Sequence, residues 1–537
     1  MRTVIVIPLY VAALVLGTYQ TFQPMFDSHF AQMQSERGDG MLNHYILEHS
    51  WQALTNPTYP GSLFSPPFFF PEPYTLWYSE HLLGVAPAYW ALRLVLPEDL
   101  AYQWWQISMN ALNFVAFAVV LRWLGGPHLL ALLGGYLWAF SLVQIDQIKH
   151  QQMIPRFWMP LAAYYAWLFA GTPTNRSLNR MLAYAVLQCV TCVYSGWFLV
   201  TGLATFLPLA IGLRTGGWAD LVQYWQQNSR RVLLIVAGWG SVLLAAFLPY
   251  LVVNWGVART YGECVGLMPT RSGWLTGLPG TPWYQTTELL RNPVHGECNL
   301  FCGLGLYALM LAAAVHLRIT RLMPRPPAAA LMAAGLLTAV IWVLFTLTWS
   351  PYEAGPSLWY LVRGIPGGTA IRCVSRVYVT VYLFGTLAAL LWLAAVSAPL
   401  RPAVRLGLLT LVTTGIIYEQ IGYRPPSFNK RDFYPFVDRA ADQLRGANAG
   451  YVIPKYHDST GKELPDVYGE VLAMWAGLRA QVPVVNGYSG RWPPGNYPES
   501  VPATDEELRA WLTGRFRGKL AIVDPDRPEA TRVIVIE

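Results

Sequence analysis

Long apolar runs recur along the chain at lengths near the roughly 20 residues that an α-helix needs to cross a bilayer. These runs cover residues 3–19, 103–121, 129–143, 157–171, 181–213, 232–253, 300–317, 328–347, 377–396 and 406–418. The run 181–213 is too long for one span, so we divide it at the Ser-Gly of "YSGW", residues 194–197. The sequence therefore predicts a mainly α-helical, polytopic membrane protein with about eleven transmembrane helices.

Composition agrees with this prediction, since 54% of the 537 residues are hydrophobic and only 12% are charged. The formal net charge of +7 could point to nucleic acid. The arginines fall, however, in short clusters between apolar runs, where membrane topology accounts for them. We therefore expect the lipid bilayer, and no nucleic acid, as a partner.

The arginine clusters also predict an orientation, because Arg and Lys favour the cytoplasmic side in short loops. With Arg2 inside, strict alternation places all of these clusters inside. They are Arg122, Arg176, Arg180, Arg214, Arg230, Arg231, Arg318, Arg321, Arg325, Arg401 and Arg405. The alternation requires residues 81–96 to form an interfacial helix and not a span. The first segment has no small-residue cleavage site after it, so we interpret it as an uncleaved anchor.

Four loops and the C-terminal tail then lie outside, at residues 20–102, 144–156, 254–299, 350–376 and 420–537. The tail is richer in charge and turn residues and contains the strand-like runs "AGYVIP", "VPVVNGY", "KLAIVD" and "TRVIVIE". We expect two domains: residues 1–420, with the large first outer loop, and residues 421–537, a small α/β domain outside the membrane. Cys264 and Cys298 share one outer loop and could pair there.

Ionisable side chains gather at the outer ends of the predicted spans. The groups are Glu36, Arg37 and Asp39 with His44, Glu48 and His49; Glu80 with His81; Asp146, Lys149, His150 and Gln152; and Arg372 with Arg376. Each group alone could be solvated loop surface. Their convergence on one membrane face favours a water-filled cavity or a ligand site, because such groups are costly at membrane depth.

The order of segments resembles a family. A first span, a large outer loop with an early acidic residue, an interfacial helix and "AYQWWQISMNALNFVAFAVVLRWLGGPHLLALLGGYLWAFSLVQIDQIKH" resemble the N-terminal module of the GT-C glycosyltransferases. The phrases "FFFPEPYTLWYSEHLLG", "AIRCVSR" and "VVNGYSGRWPPG" are similar to multi-pass bacterial proteins of this type. The chain differs in having "GDG" where many members carry Asp-Glu, and "SEHLLG" where many carry His-Pro-Pro.

The resemblance implies an inverting glycosyltransferase of the bacterial cytoplasmic membrane, with its C-terminus outside. Such an enzyme takes a sugar from a polyprenyl-phosphate-linked donor and passes it to a glycan, lipid or protein acceptor. It needs a base, for which Asp39 between two glycines is the candidate. Arg372 and Arg376, four residues apart, are candidates for holding the phosphate, because guanidinium groups bind it in a bidentate manner.

Further residues are expected to line the same site. Arg37, Glu80, His81, His150, Gln152 and Glu297 are candidates for substrate binding, and Glu263 and His295 share the loop of Glu297. Some relatives use a divalent cation such as Mg or Mn, for which Asp39 and Asp146 are the candidate ligands.

Other interpretations remain open for these residues and for the chain. Asp39 could cap a helix that begins near Met41, and both arginines could simply reach lipid headgroups. The chain itself could be a non-catalytic assembly subunit with a GT-C-like shape, or a transporter of lipid-linked saccharides. A transporter would tend to show internal repeats, and none is clear in this sequence.

Overall fold

Helices make up most of the described chain, and the apolar ones among them are joined in several places by long polar segments. The computed structural model describes residues 3–34, 36–290, 296–321, 323–349, 356–457, 463–498 and 500–537. His295, named above as a candidate, lies outside the described residues.

The first part of the chain contains seven α-helices and one short strand. They are α1 (Thr3–Thr21), α2 (Gln23–Asp27), β1 (Gln32–Gln34), α3 (Asp39–Thr55), α4 (Ala86–Arg93), α5 (Glu98–Trp123), α6 (His128–Phe140) and α7 (Leu142–Asp146). The helix predicted to lie in the interface at 81–96 is present as α4, with eight residues.

The middle part is almost entirely helical. It contains α8 (Trp158–Gly171), α9 (Asn175–Thr191), α10 (Val193–Leu213), α11 (Gly217–Val253), α12 (Tyr261–Val265), α13 (Arg271–Leu275), α14 (Tyr284–Thr287), α15 (Leu304–His316), α16 (Pro327–Thr346), α17 (Trp359–Val362), α18 (Tyr378–Ser397) and α19 (Pro402–Tyr418).

Six helical segments of the described chain are long and apolar enough to cross a membrane, which makes this a multi-pass membrane protein. They are Glu98–Trp123, His128–Lys149, Val193–Leu213, Gly217–Val253, Pro327–Thr346 and Val374–Ser397. Val6–Thr21, Leu304–His316 and Pro402–Tyr418 are apolar but shorter. Every predicted span coincides with a helix, but the count of about eleven is not confirmed, because several of these helices are shorter than a typical span.

Close helix packing explains why small residues interrupt the apolar runs. In the hairpin of α5 and α6, a Cβ added to Gly134 would lie 2.3 Å from Leu121, and one added to Gly135 would lie 2.7 Å from the Phe114 carbonyl oxygen. Glycine therefore lets the two backbones approach. The turn between them is the "RWLGG" segment, where Gly125 adopts a positive φ of 85°.

A break separates α9 from α10 at Cys192, two residues before the predicted "YSGW" break. The buried Glu80 carboxylate accepts the backbone N–H groups of Val193 (2.7 Å) and Tyr194 (3.1 Å). These are among the N–H groups that a helix start leaves without an intrahelical acceptor. A distant carboxylate, and not the local Ser-Gly, thus stabilises the position where α10 begins.

The C-terminal part has helices α20 (Tyr434–Leu444), α21 (Asp466–Ala480) and α22 (Asp505–Leu512). Its strands are β2 (Ser427–Asn429), β3 (Ala449–Val452), β4 (Tyr456–His457), β5 (Glu463–Leu464), β6 (Gly518–Val523) and β7 (Arg532–Ile536). The central sheet has the order β3-β6-β7, with a parallel and an antiparallel pair. Three of the four predicted strand-like runs are confirmed, while "VPVVNGY" contributes only a bridge from Val484 to Gly450.

The C-terminal part shares a hydrophobic core with the first outer loop. β1 pairs with β2 across nearly 400 residues of sequence, and the Trp475 indole of α21 donates to the Met41 carbonyl of α3 at 3.1 Å. The Phe69 N–H also donates to the Asn486 carbonyl at 2.9 Å. The domain boundary at residue 420 stays a prediction, and the two sides of it are held together by buried contacts.

The free energy of unfolding should depend on Glu470, which is buried in α21. Burial raises the pKa of this carboxyl to about 7, so the folded chain binds more protons than the unfolded chain between about pH 4.5 and pH 7. Stability therefore falls as pH rises through that window. We expect Glu470→Gln to stabilise the protein at pH 8 by about 1–3 kcal/mol, with a gain that shrinks towards pH 5.

Thermal unfolding of detergent-solubilised protein from pH 5 to pH 8 measures this. Glu507 of α22 is the matched control, because its hydrogen bonds to Thr504 and Ser500 lower the pKa of the carboxyl to about 2. Glu507→Gln should give no gain at pH 8, and an equal gain in both variants would contradict the role of burial.

Candidate functional site

Three segments far apart in sequence meet at the Asp39 carboxylate. Asp39 lies in the first turn of α3, and its Oδ2 is 2.9 Å from Nδ1 of His150, which follows α7. Its Oδ1 accepts a hydrogen bond from the Tyr488 hydroxyl of the C-terminal part at 2.7 Å. The helix-capping interpretation is wrong, because Gly38 is the residue that precedes the helix and Asp39 makes no side-chain cap.

A row of ionisable groups continues from His150 into the helical bundle. His150 Nε2 is 3.4 Å from Glu297 Oε2, and that oxygen is 3.7 Å from Arg376 Nη2. The Cys373 thiol also donates to Glu297 Oε2, at 2.8 Å. Side-chain exposure is 6% for His150 and Arg376, 15% for Glu297 and 24% for Asp39. Asp39 is thus the member of this row that a substrate reaches most easily.

The surroundings of Asp39 keep it ionised. Burial on its own would raise the pKa of this carboxyl, but the hydrogen bond and charge of His150, the Tyr488 hydroxyl and the charge of Arg376 outweigh burial and hold the pKa well below its usual range. Burial also opposes ionisation of Glu297, whose pKa is nevertheless lowered by His150 and Arg376. The pKa of neighbouring Glu36 is raised, mainly by burial and also by the charge of Asp39.

Two amide side chains support the start of α3. The Asn43 amide donates to the Asp39 carbonyl at 2.7 Å and to Gln152 Oε1 at 2.8 Å. Gln152 is therefore connected to Asp39 through Asn43. Its contact orients the first turn of α3, which carries Asp39.

Arg376 is held on an aromatic face. Its guanidinium lies 4.5 Å from the centre of the Tyr194 ring, in addition to its contact with Glu297. Because Glu80 accepts the Tyr194 N–H, Glu80 positions the ring on which Arg376 stacks. Burial raises the pKa of Glu80.

Arg372 lies at the exposed rim of the same region. Its backbone N–H donates to the Tyr194 hydroxyl at 3.2 Å, and its side chain is exposed. Burial and Asp39 raise the pKa of Tyr488, and the charge of Arg372 acts in the opposite sense. The guanidinium is therefore close enough to influence Tyr488, the hydroxyl bonded to Asp39.

Several predicted residues lie outside this site. Arg37 pairs with Asp432 at 3.3 Å and lies over the Phe428 ring, so it fastens the outer loop to the C-terminal part. His81 accepts the Leu83 N–H at 2.9 Å, and burial lowers its pKa to about 4. Glu263 completes the cap of the short helix α12.

Other polar groups of the first outer loop are structural. Glu48 is fully buried and binds Arg93 at 2.7 Å and the Tyr89 hydroxyl at 2.6 Å. His44 stacks on Tyr102 with ring centres 4.3 Å apart. These contacts fix α3 against α4 and α5, and so fix the position of Asp39.

The candidate cation ligands do not form a metal site as arranged. Asp146 accepts the Tyr423 hydroxyl at 2.9 Å and the Asn299 amide at 3.4 Å, so its oxygens, like those of Asp39, face protein hydrogen-bond donors. Within the described ranges, no three His, Cys, Asp or Glu side chains come together to hold a metal. The Mg or Mn site therefore stays a prediction.

The cysteines carry no disulfide. All six are free and buried, and the pairing that Cys264 and Cys298 could make is not present. The Cys264 thiol donates instead to the Ile371 carbonyl at 3.3 Å, and the Cys298 thiol donates to the Met268 carbonyl at 3.4 Å.

Tyr488 is the site residue that sequence reasoning missed. It lies in "VVNGYSGRWPPG", where the small residues around it leave the backbone free to approach other segments. A Cβ at Gly487 would lie 2.3 Å from the Phe69 ring, which shows how closely this turn packs on the outer loop. The glycines near Tyr488 indicate a tightly packed turn, but they do not indicate which segment of the chain the turn packs against.

Comparison with known proteins gives distant structural neighbours. No protein-family profile matches the chain, and no curated protein matches it. The chain is similar to the archaeal oligosaccharyltransferase AglB from Archaeoglobus fulgidus in complex with an inhibitory peptide and a dolichol-phosphate, with a TM-score of 0.45 and 10% identity over 89% of this chain. It is also similar to the Archaeoglobus fulgidus oligosaccharyltransferase tethered to an acceptor peptide, with a TM-score of 0.46 and 11% identity over 89% of this chain.

The chain spans 64% of the length of each of these neighbours. Both neighbours are oligosaccharyltransferases.

The two arginines should differ in their effect on stability. Arg376→Lys keeps the charge but loses the planar stacking of the guanidinium on the Tyr194 ring, so we expect a loss of about 1–2 kcal/mol. Arg372→Lys changes an exposed group and should stay within about 0.5 kcal/mol of the parent. Thermal unfolding of the two purified variants compares them directly. Equal melting temperatures would show that the contacts of Arg376 contribute nothing to the fold.

Proposed function

We propose that the protein is an inverting, GT-C-type glycosyltransferase that moves a sugar from a polyprenyl-phosphate-linked donor to an acceptor outside the bacterial cytoplasmic membrane. The observation that carries the proposal is Asp39, an accessible carboxylate held ionised by His150 and Tyr488. A base removes a proton only in its ionised form.

The geometry supports a single displacement. Asp39 takes the proton of an acceptor hydroxyl, and the acceptor oxygen forms a bond to the anomeric carbon of the sugar. The bond from that carbon to the phosphate oxygen breaks, and the phosphate leaves with the electron pair. Arg372, exposed at the rim, stabilises the departing phosphate by charge-assisted hydrogen bonds. Attack from the face opposite the phosphate inverts the sugar.

The buried row behind Asp39 sets its charge. Burial opposes ionisation of both carboxyls, but the charges of His150 and Arg376 lower the pKa of Asp39 and that of Glu297. Arg376 is already engaged with Glu297 and Tyr194. We therefore assign phosphate binding to Arg372 and a positioning role to Arg376.

Asp39→Asn should reduce sugar transfer by about 100-fold or more, because the amide keeps the shape of the side chain but cannot accept the proton. Purified protein in vesicles, incubated with a panel of polyprenyl-phosphate sugars and acceptors, gives the transfer rate. Glu36→Gln is the matched control, since Glu36 is a neighbouring carboxylate whose oxygens face Tyr468 and the Asp39 N–H. The control should largely keep activity, and full activity in Asp39→Asn would contradict the assignment.

Arg372 should affect the donor more than the chemical step. Arg372→Gln removes the rim charge, so the apparent KM for the lipid donor should rise about tenfold, the change expected from losing roughly 1.4 kcal/mol of binding. Arg372→Lys should restore only part of the affinity, since an ammonium group lacks the bidentate fork. An unchanged KM in both variants would assign Arg372 to lipid headgroups outside the site.

One observation favours the non-catalytic assembly subunit as a second candidate. Both Asp39 oxygens accept hydrogen bonds from protein groups, as carboxylates in purely structural networks do. In that case the parent should transfer no sugar from any donor of the panel. The same experiment therefore separates the two functions.

A further inference from the structure

A cavity of about 630 Å³ opens among α8, α9 and α16, at the ends of these helices remote from Asp39. The end of α8 at Gly171, the start of α9 and the start of α16 surround it. Because α8 begins just after the His150 segment and runs away from it, the cavity lies on the face opposite the candidate site. The arginine pattern assigns this face to the cytoplasmic side.

Two arginines supply the charge of this cavity, which we call the inner cavity. Its lining contains Arg176 and Arg180 from the first turns of α9 and no carboxylate. Arg180 donates to the Tyr165 hydroxyl at 2.5 Å and lies 5.4 Å from the centre of that ring, so its guanidinium is held in place. Arg176 is exposed and has no ion-pair partner among the residues the structure describes.

The rest of the lining suits hydrocarbon. Tyr164, Trp167, Leu168 and Leu331 provide aromatic and aliphatic walls. Tyr164 also packs on Trp123, whose side chain is 54% exposed on the apolar helix α5. Tryptophan in such a position is typical of the membrane interface. The inner cavity thus places the guanidinium groups of Arg176 and Arg180 beside an apolar wall of the kind that contacts lipid.

We propose that the inner cavity binds a lipid whose phosphate headgroup carries a net negative charge. The phosphate lies between Arg176 and Arg180, and the hydroxyls of Thr172 and Thr174 are within the same lining. The hydrocarbon chains follow Trp167, Leu168 and Leu331. Basic pockets between helices on the cytoplasmic side are the usual form of anionic-lipid sites. Such a lipid links α8 and α9 to α16, independently of any sugar transfer at the opposite face.

The test measures lipid retained by the full-length protein. Detergent-purified protein is washed with lipid-free micelles, mixed with phosphatidylglycerol or phosphatidylcholine, and analysed by native mass spectrometry and thermal unfolding. The parent should retain phosphatidylglycerol at least about tenfold better than phosphatidylcholine, a difference of about 1.4 kcal/mol. Its melting temperature should rise only with the phosphatidylglycerol.

Two kinds of variant address the site. Arg176→Gln with Arg180→Gln should abolish the preference for phosphatidylglycerol. Ala328→Trp, at an exposed position of the lining, keeps both arginines but fills the cavity, and should reduce retention in the same way. Arg230→Gln with Arg231→Gln removes two exposed arginines from the same predicted side of the membrane and should leave retention unchanged.

Two further arms identify the source of the phosphate. Stronger retention of polyprenyl phosphate than of phosphatidylglycerol would support the site and assign it to the carrier lipid. Equal stabilisation by inorganic phosphate alone would overturn the proposal, because the hydrocarbon would then contribute nothing. Unchanged phosphatidylglycerol retention in both the double arginine variant and Ala328→Trp would also overturn it.

Discussion

The contact between Asp39 and His150 is the interaction on which the arrangement of the outer face depends. It joins the large first loop to the segment that follows α7, across 111 residues of sequence. Tyr488 binds the other oxygen of the same carboxylate and brings in the C-terminal part. One ionised group therefore joins three segments that are far apart in sequence, in addition to the core that the first loop shares with the C-terminal part.

Such a group is stable at the edge of an apolar bundle only because it does not stand alone. Charges removed from water need partners with good geometry, and removing one partner leaves the other at a cost of about 3–5 kcal/mol. His150 lies between the carboxylates of Asp39 and Glu297, Glu297 lies 3.7 Å from Arg376, and the guanidinium of Arg376 stacks on Tyr194. The charges of His150 and Arg376 keep Asp39 ionised at the exposed end of this row, which is where we propose that the reaction occurs.

The sequence predicted the helices well and the site in part, and the difference has a physical cause. Apolar runs report directly on helices such as α5, α10 and α18, because burial in lipid or protein requires continuous hydrophobic surface. Ionisable residues near span ends made Asp39, His150 and Arg376 candidates, since such groups are expensive at membrane depth, and Glu297 was a candidate from the loop 254–299. Nothing local distinguishes His150 from His81, or Arg376 from Arg37, because their roles depend on which distant segment packs against them. Tyr488 was missed for the same reason.

The contribution of Tyr488 has a consequence for biosynthesis. A ribosome completes the helical bundle and the loops that carry Asp39, His150, Glu297 and Arg376 well before it reaches residue 488. During that interval the carboxylate lacks one of its two hydrogen bonds, and the shared core between the outer loop and α21 has not yet formed. The arrangement around Asp39 can be completed only after this late segment has been synthesised and has folded. Completion of the site is thereby coupled to the order of synthesis, so a nascent chain stalled before residue 488 would lack the second hydrogen bond to the carboxylate.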